Sequence, residues 1–232
     1  MPDRASTWDA SYKRRENFVF WPGDELVRFV SRRLRRRCGL ERFKDIAPGA
    51  AGSRVLDIGC GIGRNLAFGT EMGFAMYGMD LSPVAVAASR RWLGRLIGPS
   101  AARRRVAVGS VQRIPWPDRF FDHAFCDSVL DSMPFSVARR GALEAARVLR
   151  PGGWLYCSLI SGDETGRRTG FAGEVTVRGT HERGTVQSYF NRAKIDRLLG
   201  GRFELVQCLL CRSEDHLAGT HHGRWHVAAK VL

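Results

Sequence analysis

Short apolar runs alternate with stretches of helical periodicity from residue 54 to the end of the chain. Buried apolar strands separated by amphipathic helices are typical of a parallel sheet that is covered by helices on both faces. The pattern therefore predicts an α/β fold with a doubly wound sheet and a late helix over residues 191–199. The predicted strands lie at 55–58, 75–79, 106–108, 121–127, after Gly153, and at 203–211 and 224–231.

The first 52 residues do not share this alternation. A helix is predicted from about Asp24, because Leu26, Val30 and Leu34 recur at helical spacing. That spacing places most arginines of the run 32–37 on the solvated helix face. We expect residues 1–52 to form an N-terminal helical cap on a main domain of residues 53–232. The early part of this cap is rich in aromatic residues, namely Trp8, Tyr12, Phe18, Phe20 and Trp21.

A glycine-rich loop follows the first apolar run, directly ahead of a predicted helix. Gly59, Gly61 and Gly63 alternate with other residues there, and a backbone without Cβ atoms lets a ligand approach closely. The amides of a helix N-terminus favour a carboxylate or a phosphate. The dinucleotide fingerprint G-x-G-x-x-G fails, because Arg64 stands at its third glycine.

Two acidic residues narrow the choice of ligand. Asp57, in the strand end ahead of the glycines, would repel a pyrophosphate but attract an amino group. Asp80 ends the next apolar run, and its two oxygens can accept hydrogen bonds from a ribose diol. A ligand with an amino acid at one end and a ribose at the other fits this pattern.

With three later segments, the loop resembles the class I S-adenosylmethionine (SAM)-dependent methyltransferases, in the group that modifies small molecules. The resemblance covers about residues 54–159 well and the rest of the chain weakly. It implies a Rossmann-like, seven-stranded sheet that is mostly parallel, with an antiparallel C-terminal strand. It also implies SAM as the cofactor and S-adenosylhomocysteine as its product. The matching segments are 57–63, 77–82, 121–127 and 147–153.

The resemblance further implies which residues hold the cofactor. Tyr12 is expected to cover it, whereas Trp8 is expected to have only a structural role. Ser110 stands where related enzymes usually carry an acidic residue, and we expect its hydroxyl and the Val111 backbone to contact the adenine. Asp127 is expected to touch the methionine moiety through its backbone. The predicted cofactor site is Tyr12, Asp57, Gly59, Cys60, Gly61, Asn65, Asp80, Leu81, Ser110, Val111 and Asp127.

Residues 161–189 form a connection that is too long for an ordinary link between a strand and a helix. Its stretches 174–178 and 185–189 alternate around a turn-like segment, which predicts a hairpin. The segment follows the carboxyl end of the fifth strand, where the crevice of a parallel sheet opens. We therefore expect an insertion that acts as a mobile lid over the methyl acceptor.

An acceptor hydroxyl or ammonium group needs a base, and three residues are candidates. They are His181 in the predicted hairpin, Asp131 after the fourth strand, and His221 in a predicted long polar link. Asp131 could equally cap a helix that starts near Ser136. We expect the methylated atom to be O or N rather than C.

The net charge of +14 does not by itself select a partner. Four of the 37 basic residues are lysines, so 37 minus 4 leaves 33 arginines, a bias that codon usage could produce. The positive charge is compatible with an anionic small-molecule acceptor. Nucleic acid is not favoured, because the basic clusters lack an aromatic stacking platform. RNA or protein methylation, and SAM binding without catalysis, remain the alternatives.

The six cysteines are scattered through a chain too large to need disulfides, so we expect free thiols and no metal site. The first residues are charged and lack the apolar core of a signal peptide. No apolar stretch approaches the length of a membrane span. These features predict a cytoplasmic protein, and the oligomeric state is not predicted.

Overall fold

The computed structural model describes residues 4–179 and 182–232. The helices are α1 (Arg4–Lys13), α2 (Asp24–Phe29), α3 (Arg64–Glu71), α4 (Pro83–Ile97), α5 (Pro99–Arg105), α6 (Phe135–Val148) and α7 (Arg192–Leu199), and a π-helical turn (Val30–Leu34) extends α2. The strands are β1 (Arg35–Arg37), β2 (Phe43–Asp45), β3 (Arg54–Ile58), β4 (Ala75–Asp80), β5 (Val106–Val108), β6 (Phe121–Asp127), β7 (Leu149–Ile160), β8 (Glu174–Thr176), β9 (Val186–Ser188), β10 (Phe203–Asp215) and β11 (Thr220–Val231).

Seven strands form the central sheet, in the order β10-β11-β7-β6-β3-β4-β5. Strands β3 to β7 pair in parallel, and β11 lies antiparallel to both β7 and β10. The predicted fold class is therefore confirmed. The chain leaves β3 toward β4 on one side and later places β6 on the other. This reversal opens a crevice at the carboxyl end of β3.

Helices cover both faces of the sheet, as the apolar strands predicted. Side chains alternate across β3, so that Leu56 belongs to one core cluster and Val55 to the other. The cluster around Leu56 includes Ala138 of α6 and Ile195 of α7. The cluster around Val55 includes Leu26 of α2, together with side chains of α3 and α4. The N-terminal segment therefore contributes to the main core.

The helix predicted from Asp24 begins at that residue, and Leu26, Val30 and Leu34 are fully buried. It ends at Leu34, however, so the arginines at 35–37 do not lie on a helix face as predicted. They form β1, which pairs with β2. The strand places the Arg35 guanidinium 4.8 Å from the centre of the Phe43 ring and 3.0 Å from the carbonyl oxygen of Met72. These long-range contacts outweigh the helical periodicity of the local sequence.

The C-terminal hairpin is longer than predicted. Strands β10 and β11 pair as far as Asp215 and Thr220, so only residues 216–219 form the connection. The prediction of a long polar link was therefore wrong, and His221 and His222 lie on β11. The end of this ladder is polar because it extends beyond the sheet core into solvent.

The hairpin predicted between 161 and 189 is present, with β8 and β9 paired antiparallel. Lys194 of α7 fixes its base, although this lysine is only 3% exposed. Its ammonium group donates to Ser188 Oγ at 2.8 Å and to the carbonyl oxygens of Ala172 and Tyr189 at 2.9 Å each. A buried lysine is tolerated when all three donors are satisfied in this way. In the described part of the chain, no helix has both the length and the apolar character that crossing a bilayer requires.

Candidate functional site

A cleft with a volume of about 410 Å³ lies at the carboxyl ends of β3, β4, β5 and β6. Every residue of the predicted cofactor site except Asp57 lines it. The remaining lining residues come mainly from α1, the segment after α1, the loop after β6 and the loop of the β8–β9 hairpin. They are Ala5, Trp8, Asn17, Val19, Ile62, Arg64, Met79, Gly109, Ser128, Val129, Ser132, Met133, Val137 and Glu182.

The glycine loop has backbone conformations that other residues rarely adopt. Gly59, Gly61 and Gly63 have φ values of 69°, 53° and 99°. A Cβ on Gly59 would lie 2.5 Å from Val129 Cγ2, and one on Gly61 would lie 2.9 Å from the Tyr12 hydroxyl oxygen. Gly63 is the N-cap residue of α3, so the loop leads into the amides of that helix. Any side chain at Gly59 or Gly61 would therefore collide with Val129 or Tyr12, which line the cleft beside the loop.

Asp57 lies behind Asn65, at the base of the cleft. Its Oδ1 accepts a hydrogen bond from Asn65 Nδ2 at 3.3 Å, and the residue is 1% exposed. Among the described residues, Asp57 Oδ2 and Asn65 Oδ1 have no hydrogen-bond partner. Burial raises the pKa of Asp57 to about 7, and the bond from Asn65 offsets only part of this effect. Two buried, unsatisfied acceptors fit a ligand that brings donors, such as an ammonium group.

Asp80 braces the glycine loop from the end of β4. Its Oδ2 accepts from the Gly61 amide and its Oδ1 from the Ser82 amide, both at 2.9 Å. Burial raises its pKa to about 6, against the lowering effect of these backbone hydrogen bonds. A carboxylate oxygen can accept a second bond, so both oxygens can still receive hydroxyl groups of a ribose.

Ser110 and Val111 line the cleft beyond β5, at the place where an adenine contact was predicted. Ser110 Oγ accepts from the Gln112 amide at 3.3 Å, which leaves its own proton available to a ligand. The Gly109 amide donates to the carbonyl oxygen of Asp80 at 2.9 Å and so ties this turn to β4.

Arg64 and Asp127 form an ion pair across the cleft wall, with Arg64 Nη2 2.8 Å from Asp127 Oδ2. Asp127 Oδ1 accepts from Ser158 Oγ at 2.6 Å. Both carboxylate oxygens are thus engaged by the protein, which leaves the Asp127 backbone for the predicted contact. In the sequence Arg64 serves only to exclude a dinucleotide, and no local signal predicts this ion pair, because it joins two distant segments.

Two aromatic residues of α1 reach the cleft. Tyr12 places its hydroxyl group over Gly61, and burial raises the pKa of this hydroxyl. Trp8 also lines the cleft, whereas only a structural role was expected for it. The two side chains lie one helical turn apart, so both are on the side of α1 that packs against α4 and Ile62 of the glycine loop.

Asp131 does not reach the cleft. It is 1% exposed, and its Oδ2 accepts from the Ile160 amide at 2.7 Å and from Arg224 Nη1 at 3.0 Å. It does not cap α6 either, because that helix follows Pro134 and the Phe135 amide donates to Glu174 Oε1 instead. The structure therefore gives Asp131 neither of the two predicted roles.

The candidate His221 also lies away from the cleft. His221 Nε2 is 3.3 Å from Asp163 Oδ1, and its Nδ1 is 3.2 Å from Thr165 Oγ1. His221 is not among the cleft residues. His181 lies outside the described residues. The neighbouring Glu182, which sequence reasoning missed, does line the cleft, and its amide hydrogen-bonds the Glu16 carboxylate after α1.

The described cysteines are free thiols, and Cys126 and Cys157 are buried in the sheet. In residues 4–179 and 182–232, no group of histidine, cysteine, aspartate and glutamate side chains could hold a metal ion.

The sheet order, the glycine cradle and the acidic residue at the end of β4 together define a class I SAM-dependent methyltransferase domain. Comparison with known proteins agrees, because residues 56–157 match the family described as methyltransferase domain. The chain therefore carries a domain of this family. Members of the class use SAM as methyl donor, and the hydrogen-bonding groups of the cleft fit SAM.

Individual relatives are consistent with this assignment. Over 145 residues the chain is 33% identical to a trans-aconitate 2-methyltransferase of Methylobacterium nodulans. This match covers 60% of the present chain and 49% of the relative, so the chain spans about half of that protein's length. A SAM-dependent methyltransferase from Methanosarcina mazei has a TM-score of 0.62 at 22% identity, covering 78% of this chain and 92% of that one. A 1,6-didemethyltoxoflavin-N1-methyltransferase from Burkholderia thailandensis, crystallised with 1,6-didemethyltoxoflavin and S-adenosylhomocysteine, has a TM-score of 0.57 at 22% identity, covering 78% and 72%.

Proposed function

We propose that this protein transfers a methyl group from SAM to an oxygen or nitrogen atom of a small-molecule acceptor. The observation that carries this proposal is the arrangement of Gly59, Gly61 and Asp80 in one cleft of about 410 Å³, with the buried Asp57 behind the lining residue Asn65. A cleft of this size is in the range for small-molecule sites.

Each part of SAM would contact a different part of the cleft. The ammonium group would satisfy the free oxygens of Asp57 and Asn65, and the carboxylate would face the amides at the start of α3. The ribose hydroxyls would donate to Asp80, and the adenine would lie against Ser110 and Val111. Tyr12 would cover the methionine part from above Gly61.

Bound SAM supplies a methyl group on a positively charged sulfur that becomes neutral on transfer. The protein contributes chiefly by aligning the acceptor with this group and by excluding water, because an in-line displacement needs alignment more than proton transfer. The α1 segment and the β8–β9 hairpin loop, joined by Glu16 and Glu182, would enclose the acceptor as the proposed lid. A cytoplasmic location stays a prediction.

A small acceptor is supported by the names of the relatives, which include methyltransferases of trans-aconitate and of 1,6-didemethyltoxoflavin. To test the proposal, SAM and S-adenosylhomocysteine binding would be measured by calorimetry. The protein would then be incubated with labelled SAM and either a metabolite extract, bulk RNA or bulk protein. We expect binding of both ligands and label in the metabolite extract. Label only in RNA or protein would favour the alternative substrates, and binding without any transfer would favour a SAM-binding protein.

A further inference from the structure

The acceptor end of the cleft is the part that remains once the glycine loop, the end of β4 and the turn after β5 are assigned to the cofactor. Trp8, Val19 and Met133 give it apolar walls. Asn17 and Ser132 add neutral polar groups, and Glu182 adds a carboxylate. Among the described lining residues of this end, none is a lysine or an arginine.

The charge of the whole cleft has the opposite sign to the charge of the chain. The chain carries a net +14, yet the only described cation in the cleft wall is Arg64. Its guanidinium is engaged by Asp127 at 2.8 Å. Asp80 and Glu182 add two further carboxylates to the lining.

Basic residues next to the lining residues also lie outside the described lining. Arg183, which follows Glu182, is exposed and does not line the cleft. Arg14 pairs with Glu16 at 2.6 Å, and the Arg15 guanidinium lies 6.0 Å from the centre of the Phe18 ring. Neither lines the cleft. The excess positive charge is therefore located on other surfaces of the molecule.

We infer, on the basis of the proposed function, that the acceptor is a largely apolar molecule that is neutral or positively charged and carries no carboxylate or phosphate into the cleft. Among the described lining residues, an anion placed here would meet no lysine or arginine to replace its water, and it would lie near the Glu182 carboxylate. A flat apolar body would instead pack against Trp8 and Met133. The polycarboxylate trans-aconitate, which names one relative, does not fit this end of the cleft.

The experiment separates the acceptor by charge. A metabolite extract is divided on ion exchangers at neutral pH into anionic, neutral and cationic pools, and each pool is incubated with the protein and labelled SAM. We expect label in the neutral or cationic pool, and no S-adenosylhomocysteine above background when trans-aconitate is the acceptor. Label confined to the anionic pool, or turnover of trans-aconitate, would overturn the inference. Calorimetric SAM binding without label in any pool would instead refute the proposed function, and this inference with it.

Variants then test the walls with the labelled acceptor. Trp8→Ala should raise the acceptor KM about tenfold while the SAM dissociation constant changes less than about twofold, because an aromatic contact is lost. Trp21→Ala is the matched control, since Trp21 is 82% exposed and does not line the cleft. Melting temperatures identify any loss through unfolding.

Glu182→Gln is a second test of the inference, because it removes the charge of the side chain and keeps its size. The KM should stay the same for a neutral acceptor and rise for a cationic one. A lower KM in Glu182→Gln would show that the carboxylate repels the acceptor and would contradict the inference.

Discussion

Arg224 Nη1 lies 3.0 Å from Asp131 Oδ2, and this ion pair joins the last strand to the loop after β6. The Asp131 carbonyl oxygen accepts from the Ser188 amide at 2.7 Å and from Gln187 Nε2 at 2.9 Å. One residue therefore holds β11, β7 and the base of the β8–β9 hairpin together. Asp131 thus fixes the base of the hairpin, and its side chain does not line the cleft where an acceptor would lie.

Replacing Arg224 with methionine should destabilise the protein on the order of 2–3 kcal/mol, because the buried Asp131 loses its cation. Urea unfolding measures this difference. The control is Arg212→Met, whose partner Asp163 is 3.8 Å away and more exposed, and which should cost at most about 0.5 kcal/mol. Adding Asp131→Asn to Arg224→Met should recover part of the loss. Equal losses of stability in the two arginine variants would show that the buried ion pair stabilises the protein no more than the exposed one does.

Gly59→Ala should abolish SAM binding, since the added Cβ would lie 2.5 Å from Val129 Cγ2 where the cofactor approaches the loop. Gly49→Ala is the matched control. Gly49 has a similar φ of 66°, but nothing lies within 4 Å of its Cβ position. Both variants should lose about 1 kcal/mol of stability from backbone strain, Gly59→Ala should lose more through its contact with Val129, and only Gly59→Ala should lose SAM affinity in calorimetry. Unchanged affinity in Gly59→Ala would remove this loop from the cofactor site.

Local pattern was sufficient for the parts of the fold and site that depend on adjacent residues. The strands of the central sheet and the glycine loop are encoded by neighbouring positions, and both are present. Asp80 was correctly placed at the carboxyl edge because it directly ends an apolar run. Its bond to the Gly61 amide could not be predicted, because it depends on how the loop folds back over β4.

The failures concern contacts between distant segments. The spacing of Leu26, Val30 and Leu34 predicted their burial but not the strand at 35–37, which depends on Phe43 and Met72. Asp131 was expected at the cleft because it follows β6, yet its partners come from residues 160, 187, 188 and 224. Glu182 carries no motif, and only the hairpin fold brings it to the cleft.

The buried Asp57 predicts an effect of pH on stability. Its pKa is about 7 in the folded protein and about 3.9 in an unfolded chain, so the folded state holds the proton more tightly. Its contribution to the free energy of unfolding is therefore present below about pH 4 and lost as the pH rises to about 7. Asp57→Asn removes this loss and should raise stability at pH 8 by roughly 4 kcal/mol, with little change at pH 4.

Asp57→Asn should also lose the increase in melting temperature that SAM gives to the wild type. Wild-type protein should melt at a higher temperature with SAM, whereas Asp57→Asn should show little shift because the carboxylate that favours the ammonium is gone. The exposed Asp118, changed to Asn, controls for loss of one negative charge. If Asp57→Asn were no more stable than wild type at pH 8, the buried charge would not be a cost to the fold.

The hairpin loop offers the sharpest test of the proposed lid. The Val177 amide donates to the Thr185 carbonyl oxygen and the Gly184 amide to that of Val177, both at 2.9 Å, so the hairpin is closed beneath residues 178–183. Replacing these six residues with Asn-Gly, which forms a tight two-residue turn, removes Glu182 and its contact with Glu16 while keeping β8 and β9 paired.

We expect SAM affinity to change less than about threefold and kcat/KM for the acceptor to fall at least about tenfold, because the acceptor end opens to water. The matched control is the same Asn-Gly replacement of residues 216–219, the turn between β10 and β11, where Leu217 is fully exposed. This control should bind SAM and transfer methyl groups like the wild type. Full methyl transfer by the variant with the shortened hairpin loop would show that the loop is an inert insertion. Equal loss of SAM binding and transfer, with a lower melting temperature, would assign it to stability instead.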